Sequence, residues 1–149
     1  MIDITEKENN VILDADKLFY HIAKGVFKAQ NYDFSDIPLH AFTPQGNDGL
    51  SVNWDKYCPT PQDCLNIKTE GFPDGRTSLT HGVGHFITKE VREIDFLTVI
   101  YSPSLTNKAH SLIQGIPPNY PKEPNNPYNQ MRKKLKRIFK SWDIQLQIE

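Results

Sequence analysis

Three of the five histidines in this 149-residue chain, His40 in LHAF, His85 in GHFITKEV and His110 in KAHSLI, sit in or beside short apolar runs. Imidazole titrates near neutral pH, so three of them carried by neighbouring strands of one sheet could move protons. Ser51 in GLSVNW adds a hydroxyl, and a Ser beside a His has the nucleophile-and-base composition of acyl transfer. In an alternating strand His40 and Phe42 share a face, so either can oppose Ser51 depending on register. No G-x-S-x-G elbow surrounds Ser51. Two histidines on adjacent strands, His110 among them, would instead suit acid and base work on a phosphodiester without a metal.

His81 and His85 in HGVGH are four apart, the zincin spacing on a helix. Glycine at 82 and 84 argues against a helix, and the zincin glutamate is absent. In a strand both rings share a face about 13 Å apart, too far for one ion. The glycines then mark a bend or a close approach to the backbone. Cys58 and Cys64 lack a paired C-x-x-C and read as free, buried thiols. No metal and no cofactor is expected.

The second candidate is a basic patch. Arg132, Lys133, Lys134, Lys136, Arg137 and Lys140 lie opposite an apolar stripe of Met131, Leu135, Ile138, Phe139 and Trp142 on an expected helix over 127–142. Such a face can neutralise phosphates of a nucleic acid, or pair with the acidic lead-in of residues 1–16.

Those residues need a scaffold. Asp3, Glu6, Glu8, Asp14 and Asp16 make residues 1–16 an acidic, weakly ordered lead-in. KLFYHI (17–22) reads as a strand, and LHAFTP with GLSVNW as a β-hairpin over 39–54 around the turn-rich QGNDG. Thr60, Pro61 and Asp63 start a short helix to about Ile67. Residues 68–82, with three glycines and a proline, form a long loop, mobile or functional. VGHFI is a strand, Thr88 caps a single helical turn, and the nearly continuous FLTVIY (96–101) reads as the central strand. AHSLIQG is a last strand. Five prolines in 117–127 make a stiff connector.

The expected fold is a single α+β domain over 1–149, a mainly antiparallel sheet with two or three helices including the amphipathic C-terminal one. A net charge of −1 advertises no polyanion, and no apolar stretch reaches membrane length, so a cytoplasmic protein is expected.

The order LFYHI, HAFTPQGNDGLSVN, PTPQDCL and VIYSPSLTNKAHSLIQG, over residues 17–115, resembles a family of small prokaryotic proteins with no assigned reaction. More distantly, the chain is similar to NAD-consuming folds of the ADP-ribosyltransferase type. That likeness implies a His on an early strand, a Ser or Tyr on a second and a late acidic residue. Tyr20 or His21 and Ser51 match the first two roles. Glu123, Glu90 and Glu93 are poorly placed for the third. Two functions follow as expectations: a small accessory protein, of prokaryotic or mobile-element origin, contacting nucleic acid or a partner protein, and alternatively a metal-free enzyme acting on a nucleotide, NAD or RNA through His40, Ser51, His85 and His110.

Overall fold

The computed structural model of the chain describes residues 10–30, 36–44, 49–117 and 126–147. Six strands, β1 (Lys17–Ala23), β2 (Leu50–Trp54), β3 (His81–Ile87), β4 (Thr98–Tyr101), β5 (His110–Gln114) and β6 (Lys140–Ile144), form one sheet in the order β4-β5-β2-β1-β3-β6. Every pairing is antiparallel. With helices α1 (Pro61–Leu65), α2 (Thr88–Arg92) and α3 (Pro127–Ile138) this is a single α+β domain.

The central strand β1 shows why the sheet has two unlike faces. Its alternation sends Leu18, Tyr20 and Ile22 to one side and Phe19 and His21 to the other. The first side continues through Val52, Trp54, Phe86 and Ile113 into the main core, closed by Met131 and Leu135 of α3. Phe42 stacks there on Tyr20 at 6.0 Å and meets Phe139 edge-on at 5.4 Å, ring pairs worth about 0.5–1.5 kcal/mol each beyond their burial. The second side gathers Phe19, Val83, Ala109, Cys58, Cys64 and Leu65 under the short α1. Both cysteines are free and buried.

Glycine 82 and glycine 84 face the first side. A Cβ on either would meet a ring carbon, of Trp142 and Phe139 respectively, at 2.3 Å. The HGVGH glycines thus admit aromatic rings close against the backbone of β3. Helix α1 begins at Thr60 with a reciprocal cap: Thr60 accepts from the Asp63 backbone and Asp63 accepts from that of Thr60.

Several expectations are corrected. LHAF is a 3₁₀ turn (Leu39–Phe42), not the first arm of a hairpin. Pro38 fixes the entry, Ala41 bonds back to its carbonyl, and the curl drives Phe42 into the core. FLTVIY supplies only β4, an edge strand whose run hides an 85 % exposed Phe96 at φ 72. Thr88 is inside α2 rather than capping it, and donates to the Asp16 carbonyl. Helix α3 stops at Ile138; Lys140 and Trp142 lie on β6. The second half of the lead-in is anchored: Ile12 is buried and Asp16 accepts from Trp54. Its first half, the QGND turn and most of the proline connector lie outside the described residues.

Candidate functional site

The β1 and β2 strands pair at Leu18 with Trp54 and at Phe19 with Asn53. The next positions on the second face are His21 and Ser51. There the strands part, and a cleft of about 420 Å³ opens with His21, Ser51, His40, Phe72, Arg76 and His81 around it. No Asp or Glu lines it among the described residues.

Strand pairing brings two histidines together. Ala23 opposes His81 in the β1–β3 ladder, which sets the His21 and His81 rings 6.1 Å apart at 78°. His21 Nε2 lies 2.8 Å from the Cys64 carbonyl oxygen. Carbonyl oxygen only accepts, so Nε2 carries the proton of the neutral ring. Thr80 spends its hydroxyl proton on the Thr77 carbonyl and therefore accepts from His81 Nδ1, 2.9 Å away. That leaves His81 Nε2 with a free lone pair. Burial, reinforced by the nearby Arg76 charge, pushes both imidazoles down to about 4.

Arg76 comes from the long loop, which is tightly built. Thr69 and Phe72 exchange backbone bonds of 3.1 Å, and Arg76 N donates to the Leu65 carbonyl at 2.7 Å. The guanidinium lies 3.9 Å over the Phe72 ring, whose edge also meets His81 at 5.3 Å. Among the described residues Arg76 has no carboxylate partner, and its Nε is buried without a hydrogen bond. Burial lowers its pKa, and the group stays cationic at neutral pH.

The three histidines singled out by sequence do not converge. His40 is exposed on its turn at the cleft rim. His110 reaches Ser51, with Nε2 3.2 Å from Oγ. The partner of Ser51 is therefore on β5, where Asn53 opposes His110, and not on the LHAF segment. His85 stands apart, paired with Asp143 at 2.6 Å and packed on Phe19. No group of three His, Cys, Asp or Glu side chains able to hold a metal occurs among the described residues.

Of the positions implied by the transferase resemblance, His21 and Ser51 border the same cleft. Leu112 occupies the place opposite Ser51 on β5. Glu90 is bound to Lys140, Glu93 is exposed after α2, and Glu123 lies outside the described residues. His81, Phe72 and Arg76 were not candidates for a shared site from sequence. The glycine-rich HGVGH and the long loop were the only local signals.

The basic patch is partly consumed. Arg132 donates to Thr43 and Asn129, and Lys136 and Lys140 pair with Asp36 and Glu90. Lys133, Lys134 and Arg137 remain exposed on α3. No described helix is long and apolar enough to cross a membrane. No protein-family model, curated protein or solved structure matches the chain.

Proposed function

We propose that the chain is a small enzyme acting on a phosphate-bearing nucleotide bound in the β1–β2 cleft. The observation that carries this reading is Arg76, a half-buried guanidinium seated on Phe72 beside two neutral imidazoles, with no carboxylate lining the cleft among the described residues. A half-buried cation that no described carboxylate neutralises favours an anion beside it, and the guanidinium fork matches two phosphate oxygens. An approaching anion raises the proton affinity of His21 and His81, and His81 Nε2 is free to act as general base.

The lining also favours chemistry at phosphorus over transfer from a ribose. A cationic, oxocarbenium-like transition state needs a carboxylate beside it and is opposed by Arg76, whereas charge developing on phosphoryl oxygens is stabilised by it. Nucleic-acid or partner binding through the basic face draws less support, because three of its six cations already serve intramolecular contacts.

Calorimetric titration with ADP-ribose tests the reading. Binding should weaken by about 10- to 100-fold in Arg76→Gln, the range of one charge-assisted hydrogen-bond set. It should also take up protons between about pH 4 and 5, where both imidazoles titrate, visible as heats that vary with buffer ionisation. Equal affinity of wild type and Arg76→Gln sinks the proposal.

A further inference from the structure

His110 Nδ1 lies 2.6 Å from the carbonyl oxygen of Ser102. A carbonyl accepts only, so Nδ1 carries the proton and Nε2 keeps its lone pair in the neutral ring. Ser51 Oγ, 3.2 Å from that nitrogen, must then be the donor. A serine whose proton points at an unprotonated imidazole nitrogen, with the far side of the ring held by an acceptor, has the organisation of an activated nucleophile. Here a backbone carbonyl stands where triads use a carboxylate.

That carbonyl is fixed by its surroundings. Ser102 N donates to the His110 carbonyl at 3.0 Å, and the turn between β4 and β5 is pinned by Asn107 Nδ2 on Asn53 Oδ1 at 2.7 Å. Asn53 is buried on β2, two residues from Ser51. The ring is thereby oriented before any ligand arrives. Ser51 itself is exposed and borders the same cleft as Arg76 and His81.

We infer that Ser51 is a nucleophile, with His110 as its general base, for cleavage of a phosphodiester in the cleft; the substrate class rests on the nucleotide reading above. Ser51 Oγ attacks phosphorus, the Oγ–P bond forms, and the bond from phosphorus to the leaving oxygen breaks. The Oγ proton passes to His110 Nε2 and then to the leaving oxygen. Water then attacks phosphorus of the seryl phosphodiester, which retains the other ester group; its proton passes to His110 Nε2 and on to Ser51 Oγ as the Oγ–P bond breaks, and a phosphate monoester leaves. No oxidant, reductant or second substrate is needed.

Bis(4-nitrophenyl) phosphate is the probe. Wild-type protein should release one equivalent of 4-nitrophenolate in a burst and carry a phosphoryl adduct that maps to Ser51. Ser51→Ala, a change at an exposed side chain, should abolish both. His110→Gln, checked for folding by circular dichroism, should slow the burst by roughly 100-fold and remove its rise with pH. A merely structural His110 would leave that pH profile intact. No adduct at Ser51, or an unchanged burst in His110→Gln, overturns the inference even if ADP-ribose binds. An adduct at Ser51 without ADP-ribose binding supports the nucleophile and overturns the nucleotide reading instead.

Discussion

The two faces of one sheet are built from the same strands and differ in what covers them. On the first, Tyr20, Phe42, Phe86 and Phe139 interlock beneath α3, and two glycines give up their side-chain space to rings. On the second, the five-residue α1 covers only part of the surface, and the place where β1 and β2 separate is bordered by His21, His81, Arg76 and Ser51. The cleft runs through the gap between β1 and β2, so Tyr20, Ile22 and Leu50 of the covered side also line it. The partly covered face keeps a cation and two neutral bases at the margin of the core, an arrangement that costs stability and is useful for chemistry.

The largest effect that would sharpen this contrast is on the covered face. Phe42→Ala removes a fully buried ring from the aromatic cluster and should destabilise by about 3–5 kcal/mol in urea unfolding. A loss below about 1 kcal/mol would mean that the cluster is not the main support.

Next comes the pH dependence of the open face. The His21 pKa in the folded chain, about 4, lies below the unfolded value near 6.5, so the unfolded chain takes up protons first. The His21 contribution is complete above about pH 6.5 and is lost as pH falls toward 4. His21 alone accounts for roughly 3 kcal/mol across that window. His21→Gln should therefore flatten the decline in stability between pH 6.5 and 4; an unchanged decline would show that other groups cause it.

Gly84→Ala drives a methyl group into Phe139 and should cost about 1–3 kcal/mol. A tolerated alanine would mean that the ring can slide away, and that the glycine is not there for packing. The smallest stability effect belongs to Arg76→Gln. Changed on the open side, where no carboxylate loses its partner among the described residues, it should move stability by less than about 1 kcal/mol while ADP-ribose binding falls. A large destabilisation would make Arg76 part of the scaffold.

The covered face was far more legible in the sequence than the open one. The KLFYHI strand and the Met131, Leu135 and Ile138 stripe rest on local rules that tertiary contacts did not override, and on the open face only the Thr60-Pro61 helix start does the same. The end of α3 was concealed because Phe139 and Trp142 continue the same helical spacing; the chain turns extended at Phe139 and lays both rings over the β3 glycines. FLTVIY looked central because composition alone does not reveal that Phe96 and Ile100 point outward at an edge.

The site was harder because its members meet only through non-local pairing. His21 and His81 are neighbours by the β1–β3 register, and His110 reaches Ser51 by the β2–β5 register. Neither register is encoded in spacing along the chain. Ser51 and His110 were recognisable as chemistry-bearing residues from sequence, but the expected hairpin put His40 or Phe42 opposite Ser51, whereas LHAF curls into a turn and His110 meets Ser51 instead. Arg76 carried no motif at all, and becomes notable only through its ring contact and its lack of a carboxylate partner among the described residues.

The most direct test of a phosphate-binding open face is to follow the imidazole Cε1 protons of His21 and His81 by NMR while titrating pH, with and without ADP-ribose. Both should titrate near pH 4 in the free protein and move upward by a unit or more with ligand, in wild type but not in Arg76→Gln. Identical titration curves with and without ADP-ribose would contradict the account.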